Sequence, residues 1–399
     1  MIDKLHKNVE ERKGDIVTFL RDIIRIPGTC GKEKDVICRV KKEMETLSYD
    51  DVYVSKMGSV IGRIGNGKKK IFYDCHVDTV GPGDLKAWKI DPYRGAYEND
   101  IIYGLGACDT KASVATMVYG GALMKEMSLY EDFTLFVVAS VMEEDCEGEA
   151  DRFIFDHEET GQIPDCVVIG EPSSLRISRG NRGRVEIAIT VRGKSAHASS
   201  PSLGENAIYK MAPLILELEQ LDDILPVHSV MGKSVLAVTE VTSRASSRNA
   251  IPAECSVFID RRLVPGETLE DVLTSIKKLP SFKNAFSNIE VYRGQSYTGI
   301  EIEKEKFFPP WIMEENHPLV AGASRAYKKI LGRTPEIFTW DFCTNGNYTA
   351  GIAGIPTIGF GPGEERYAHT TEEQVPVRHL LDATCFYAGF PLYSASQDL

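Results

Sequence analysis

Residues 71–79 read Ile-Phe-Tyr-Asp-Cys-His-Val-Asp-Thr, an apolar run that ends abruptly in polar side chains. A strand buried on both faces of an α/β sheet is continuously apolar, so this run predicts such a strand. Because side chains alternate along a strand, His76 and Asp78 point the same way at its carboxyl end, where open α/β sheets bind ligands. The pair indicates either a metal ligand with its orienting carboxylate or an ordinary histidine near a strand end.

Two further apolar segments also end in acidic residues. Residues 133–142 precede Glu143 and Glu144, and residues 165–169 precede Gly170 and Glu171. If the three strands share one sheet edge, their carboxylates converge, and such a cluster needs shared protons or a counter-charge, most commonly a metal ion. The recurrence therefore predicts a cation site at this edge.

A small-residue helix follows the segment Tyr-Gly-Leu-Gly-Ala-Cys-Asp-Thr-Lys-Ala-Ser at residues 103–113. Asp109 lies just before the N-terminus of this predicted helix. Its carboxylate is placed either to cap the helix N-terminus or to bind a cation.

Composition limits the classes of function. A chain of 399 residues with 43% hydrophobic and 26% charged residues suits two globular domains. The net charge of -12 opposes binding to nucleic acid or to an anionic membrane. The charged first twenty residues do not resemble a signal peptide, and the nine scattered cysteines fit neither a disulfide framework nor a zinc ribbon. We therefore expect a cytoplasmic protein.

The pattern changes near residue 180. Strands are predicted at 185–192, 234–243, 254–263 and 288–293, and helices at 205–221 and 268–279. Their order, β-α-β-β-α-β, is that of a ferredoxin-like fold. We predict an inserted α+β domain at 180–300, within an α/β domain made of 1–179 and 301–399 whose sheet is flanked by helices, among them 15–25, 32–47 and 377–393.

Taken together, the motifs resemble those of the M20 family of dinuclear-zinc metallopeptidases and deacylases, which includes aminoacylase, acetylornithine deacetylase and succinyl-diaminopimelate desuccinylase. The matching segments are His76-Val-Asp78, Gly106-Ala-Cys-Asp109-Thr-Lys111, Glu143-Glu144, Gly170-Glu171-Pro-Ser, Ala368-His369-Thr, Gly193-Lys-Ser-Ala-His197, Gly204-Glu-Asn206 and Asn249-Ala-Ile-Pro252. The resemblance implies a zinc-peptidase-like mixed sheet, with the insertion acting as a lid and dimerisation domain.

The resemblance also implies a ligand set for two zinc ions. Asp109 bridges them, His76 and Glu171 complete one site, and Glu144 and His369 complete the other. Three protein ligands and an open position are typical of catalytic zinc. Cobalt or manganese suits the same donors.

The remaining roles follow from the same resemblance. Asp78 orients His76, and Glu143 is the general base that takes a proton from a metal-bridging water. His197, by itself an ordinary surface histidine, corresponds to a residue that reaches the partner subunit's site and stabilises the oxyanion. Asn249 and Arg262 correspond to residues that hold a substrate carboxylate, although the adjacent Arg261 is an alternative to Arg262 on sequence grounds.

The implied activity is hydrolysis of the amide of an N-acyl amino acid or a small dipeptide by a homodimer. Glu171, where some relatives have Asp, favours a small substrate whose amine product bears a free carboxylate. Two alternatives stay open: an amidase acting on carbamoyl or ureido amino acids, and a non-catalytic binding homologue. The acidic run after Glu144 and the Thr-Lys-Ala-Ser at 110–113 depart from the family's usual pattern, and residues 308–312 and 341–346 resemble a selenium-metabolism-linked subgroup.

Overall fold

The computed structural model describes residues 1–129, 132–157, 159–161 and 163–394. In chain order the strands are β1 Asp51–Val54, β2 Val60–Ile64, β3 Lys69–His76, β4 Ala96–Glu98, β5 Ile101–Tyr103, β6 Phe133–Ser140, β7 Cys166–Ile169, β8 Ile177–Asn181, β9 Gly183–Arg192, β10 Val227–His228, β11 Gly232–Lys233, β12 Val235–Arg244, β13 Glu254–Leu263, β14 Ala285–Ile289, β15 Val291–Gln295, β16 Glu301–Glu305, β17 Phe307–Phe308, β18 Trp311–Ile312, β19 Ile337–Trp340, β20 Thr357–Gly359 and β21 Gln374–Pro376. The helices are α1 Ile2–Glu11, α2 Lys13–Ile24, α3 Lys34–Thr46, α4 Lys111–Glu126, α5 Glu149–Asp156, α6 Ala207–Asp223, α7 Leu269–Lys277, α8 Pro318–Leu331, α9 Gly346–Thr349, α10 Val377–Gly389 and α11 Pro391–Ser394.

The larger sheet is mixed, with the order β1-β2-β6-β3-β7-β20-β8-β18, and β19 also pairs with β8. Its centre is parallel: β3 lies between β6 and β7, and β20 continues on β7. From Ile71 onward β3 is buried on both faces, which explains the apolar run Ile71-Phe72-Tyr73. Tyr73 and Cys75 enter the core under α2, α4 and α10, whereas Phe72 packs on the opposite face with Trp340.

The smaller sheet has the order β12-β13-β9-β14, and the short β17 adds to β9. All of its pairings are antiparallel. With α6 and α7 packed over their own hydrophobic core, these strands give the predicted ferredoxin-like arrangement. The fold class predicted from the sequence is therefore confirmed, whereas the domain limits at 180 and 300 stay predictions.

Local sequence accounts for several element boundaries. Thr268 caps α7 through a capping box with Asp271, as a Thr before a helical pattern predicts. The strand predicted at 288–293 is wrong, because β14 ends at Ile289 and a separate hairpin of β15 and β16 begins at Val291. The helix predicted at 377–393 is interrupted before Pro391, whose ring cannot continue a helix interior.

Candidate metal centre

The predicted convergence of strand ends occurs. His76, the last residue of β3, is aligned with Ser140 of β6, and Asp74 is aligned with Ile169 of β7. Glu143 and Glu171 therefore follow the two parallel strands that flank β3, β6 and β7, at the same edge of the sheet. His76 Nε2 lies 3.5 Å from Glu171 Oε1 and 4.0 Å from Glu143 Oε2.

Asp109 lies between two histidines. Its Oδ1 is 3.1 Å from His76 Nε2, and its Oδ2 is 3.2 Å from His369 Nε2. His369, on the loop before β21, is also 3.1 Å from Glu144 Oε2. One carboxylate thus faces two separate groups of donors, His76 with Glu171 and His369 with Glu144.

The spacing of these donors fits metal ions. Donors that bind one ion at about 2.1 Å in tetrahedral geometry lie about 3.4 Å apart, and the contacts that His76 makes with Asp109 and Glu171 are 3.1 and 3.5 Å. Two groups, His76 with Glu143 and Glu171, and His76 with Asp109 and Glu144, each place their donor atoms within 4.8 Å of one another. Imidazole with carboxylate is a donor set suited to zinc, cobalt or manganese.

The pKa shifts of the clustered side chains also fit a cation site. Burial raises the pKa of Glu143 and of Glu171 well above their usual values. Burial acts to lower the pKa of His76, but the charge of Glu171 and the hydrogen bond with Asp109 raise it well above its usual value. Hydrogen bonds to Asp109 and Glu144 raise the pKa of His369 to about 10. Buried carboxyl and imidazole groups crowded in this way are the environment in which divalent cations displace protons.

Asp78 is fully buried behind His76, but it contacts the ring differently from the prediction. His76 Nδ1 is 2.9 Å from the main-chain carbonyl oxygen of Asp78 and 3.7 Å from its carboxylate. The carboxylate instead accepts hydrogen bonds from the main-chain N–H groups of Glu143 and Glu144, at 3.2 and 3.1 Å, and from the Cys30 thiol. Asp78 therefore fixes the histidine through its backbone and the glutamate pair through its side chain.

Glu143 and Glu144 diverge in their surroundings. Glu144 accepts from Val80 N–H through Oε1 and contacts His369 through Oε2. Glu143 Oε1 is buried and has no hydrogen-bond partner among the described residues. Both line a cavity of about 260 Å³ that opens beside Asp109 and His369.

Two arginines of the small sheet also line this cavity. Arg184 of β9 and Arg262 of β13 are directly paired across the small sheet, and both line the cavity. Arg184 contacts Glu147, and Arg262 forms a two-pronged ion pair with Asp260 at 2.7 and 2.8 Å. Of the two adjacent arginines of β13, Arg261 and Arg262, it is thus Arg262 that lines this cavity.

Arg261 points to the other face of β13. Its side chain is 2% exposed and is paired with Glu267 in the helix-covered interior. It lines a different cavity, between α6 and α7. Strand alternation therefore separates two adjacent arginines into a structural one and one that faces the metal centre.

His197 and Asn249 lie outside this cavity. Both are exposed, and their loops are joined by hydrogen bonds from Ala198 N–H to the Asn249 carbonyl and from Ile251 N–H to the Ala196 carbonyl. His197 Nδ1 accepts from Ser199 N–H at 3.1 Å. The structure therefore places these two candidates next to each other but not beside the carboxylate cluster of the same chain.

Three residues that contribute to this region were missed from the sequence. Glu147 and Arg184 line the cavity, and Glu373 accepts hydrogen bonds from the segment that carries Asp109. Glu147 stands in the acidic run that departs from the family pattern, which was a usable signal. Arg184 and Glu373 carried no motif, because only the sheet pairing and the burial reveal them.

Two histidines and several carboxylates gather at one edge of a mixed sheet, beside a cavity that arginines of the small sheet also line. This arrangement is typical of a metal-dependent hydrolase. The chain belongs to peptidase family M20/M25/M40, whose family profile matches residues 72–392.

Comparisons with individual proteins agree with this assignment. The chain is 40% identical over 388 residues to the uncharacterized protein YgeY of Escherichia coli (strain K12), covering 97% of this chain and 96% of that protein. It is 29% identical over 321 residues to an acetylornithine deacetylase of Vibrio atlanticus, covering 79% of each. The fold matches an M20 family metallo-carboxypeptidase from Sulfolobus solfataricus with a TM-score of 0.77 at 16% identity, covering 95% of this chain and 99% of that one.

Proposed function

We propose that the protein is a dinuclear metal-dependent amidohydrolase that cleaves the amide bond of an N-acyl amino acid or a small dipeptide. The observation that carries the proposal is the position of Asp109, whose two oxygens face His76 and His369 at 3.1 and 3.2 Å. A carboxylate placed between two donor groups is suited to bridge two cations. Glu171 completes one group and Glu144 the other.

Bound there, two divalent cations supply a Lewis acid for the carbonyl and lower the pKa of water. Proton transfer is carried out by a residue of the chain. Glu143 donates its main-chain N–H to the Asp78 carboxylate. One of its own carboxylate oxygens, Oε1, has no hydrogen-bond partner among the described residues and lies beside the cluster. It takes the proton of the attacking water and passes it to the leaving nitrogen.

The two arginines that line the cavity, Arg184 and Arg262, favour a substrate with a free carboxylate. A guanidinium binds a carboxylate through two parallel hydrogen bonds, and Arg262 lines the same cavity as the predicted metal ligands. Its ion pair with Asp260 uses Nε and Nη2, which leaves Nη1 for a ligand. We therefore assign Arg262 to the substrate carboxylate, with Arg184 beside it.

We further propose a homodimer formed through the small sheet. β12 is an edge strand, and the apolar side chains of Ile208, Tyr209 and Leu216 on α6 and of Val241 on β12 are exposed. Exposed apolar surface beside an open edge is typical of an interface. Such a dimer gives exposed His197 and Asn249 a role in the partner's cavity, where a donor can stabilise the oxyanion.

A substrate panel tests the activity. The zinc-loaded protein is incubated with N-acetyl amino acids and dipeptides, and released amine is measured with and without a chelator. We expect amine release that the chelator abolishes and added zinc restores. A fully metal-loaded protein that releases no amine from any member of the panel would contradict the proposal.

A carbamoyl or ureido amidase is the second candidate, because its substrates present the same carbonyl and carboxylate to this cavity. Ammonia release from ureido acids would identify it. A non-catalytic binding homologue is disfavoured because the donor groups and the Glu143 carboxylate are all present. Zinc as the metal and a cytoplasmic location stay predictions; in the described part of the chain, no helix is both long and apolar enough to cross a bilayer.

A further inference from the structure

Glu373 is a buried acidic residue that the proposed chemistry does not use. It lies four positions after His369, immediately before β21, and its relative exposure is 2%. A buried carboxylate is costly unless hydrogen bonds satisfy its oxygens. The neighbouring Glu372 is exposed and forms an ion pair with Lys89 at the surface.

The partners of Glu373 belong to one short segment, residues 104–109. Its Oε1 accepts from Cys108 N–H and Asp109 N–H, both at 2.9 Å, and its Oε2 accepts from Gly106 N–H at 3.0 Å. Its own carbonyl oxygen accepts from Gly104 N–H at 3.1 Å. Glu373 thus places its carboxyl group in a nest of main-chain N–H groups, an arrangement that favours an anion, whereas burial and the charge of Asp109 raise its pKa to about 8.

This segment needs an external support. It lies between β5 and α4 and pairs with no strand among the described residues. Gly104 and Gly106 adopt positive φ angles of 148° and 85°. Buried main-chain N–H groups require acceptors, and here the two carboxylate oxygens of Glu373 accept three such N–H groups. Glu373 is therefore the side chain that holds the main-chain N–H groups of Gly106, Cys108 and Asp109 in place.

Glu373 connects two loops of the candidate metal centre, the segment that carries Asp109 and the loop that carries His369. Asp109 ends the nest, and its carboxylate lies between His76 and His369. His369 is on the loop that continues directly to Glu373. A displacement of either loop changes the separation between Asp109 and His369, which is 3.2 Å.

We propose that Glu373 is a positioning residue of the metal centre: by accepting the N–H groups of Gly106, Cys108 and Asp109, it fixes the Asp109 carboxylate between the two metal positions. The proposal rests on the two-metal function argued above. Supporting hydrogen bonds around metal ligands change metal affinity by about 10- to 100-fold when they are removed.

The test uses the full-length, metal-free protein and Co²⁺ alone, with no substrate. Glu373→Gln keeps the size of the side chain but turns an N–H group toward N–H donors. We expect the affinity for the second Co²⁺ to fall about 10- to 100-fold, and the magnetic coupling between two bridged Co²⁺ ions, measured by electron paramagnetic resonance, to disappear. The matched control is Glu372→Gln, which should titrate like the wild type.

A second variant separates positioning from stability. Glu373→Asp keeps the carboxyl group but is too short to reach all three N–H groups, so an intermediate affinity and partial coupling are expected. Wild-type affinity and coupling in Glu373→Gln, with or without a lower melting temperature, would overturn the proposal. Failure of both variants to fold would assign Glu373 to stability alone and would equally overturn it.

The titration also distinguishes this inference from the proposed function. A wild-type protein that binds two coupled Co²⁺ ions but hydrolyses nothing in the panel would refute the activity and leave the role of Glu373 measurable. A wild-type protein that binds a single ion would refute the two-metal site, and unchanged affinity for that ion in Glu373→Gln would refute the positioning role as well.

Discussion

Glu143 and Glu144 are adjacent, yet their carboxylates have different surroundings. Glu144 contacts His369, whereas Glu143 keeps a buried oxygen without a partner among the described residues. Their main-chain N–H groups are both held by Asp78, so the backbone separates the two side chains. This local difference predicts different consequences for two otherwise identical substitutions.

Replacing Glu143 by Gln removes the group that accepts a proton but retains its volume. We expect kcat to fall by about 10²- to 10⁴-fold, the usual contribution of a general base. The metal content, measured by atomic emission, should be unchanged. Glu144→Gln is the matched control and should lose metal. Metal loss in Glu143→Gln instead would mean that the two roles are exchanged.

At the scale of the element, β13 places Arg261 and Arg262 on opposite faces of the small sheet. Arg261 is buried with Glu267, and Arg262 faces the cavity with Asp260. Because the two residues are adjacent, each serves as the control for the other.

Arg262→Ala should raise KM for substrates with a free carboxylate and leave the free energy of unfolding nearly unchanged. Arg261→Ala leaves the buried Glu267 charge uncompensated, so it should cost about 3–5 kcal/mol of stability with little effect on KM. Urea unfolding and steady-state kinetics on both variants separate these outcomes. A destabilised Arg262→Ala with normal KM would remove Arg262 from the substrate site.

At the scale of the whole molecule, the metal centre joins distant parts of the chain, from β3 to the loop that carries His369. Cations that bind the folded state alone stabilise it by mass action, by about 4 kcal/mol per site at a 1,000-fold excess over Kd. Chelation should therefore lower the melting temperature, as measured by calorimetry, and added zinc should restore it. An identical melting temperature in both states would contradict metal binding at this centre.

The proposed dimer makes a separate prediction. If His197 acts in the partner's cavity, His197→Ala and Glu143→Gln are inactive for different reasons and complement each other. After subunit exchange, half of the dimers are mixed and each has one intact site, so about a quarter of the wild-type activity should return. Mixing Glu143→Gln with Glu144→Gln, which both damage the same part of the site, is the control and should restore none. The absence of complementation in a protein shown to be dimeric would place His197 outside catalysis.

Much of the metal centre could be predicted from the sequence. Residues with a local signal, such as His76 after an apolar run or Glu143 after the next one, were predicted correctly as lying at strand ends that meet. Glu373 could not be distinguished from Glu372, because nothing in a run of two glutamates says which one turns inward. Val375, two positions on, is buried on the same face, but that face is defined only once β21 pairs with β5.

By itself, the sequence determined the class of fold and the family, because periodicity, chain order and short motifs are properties of neighbouring residues. Only the tertiary structure decided which arginine of β13 faces the cavity, that Asp78 holds His76 through a main-chain carbonyl oxygen, and that Glu373 supports the Asp109 segment. The physical reason is that side-chain direction, sheet register and burial decide these contacts, whether the partners are two residues apart, as Asp78 and His76 are, or far apart, as Glu373 and Asp109 are.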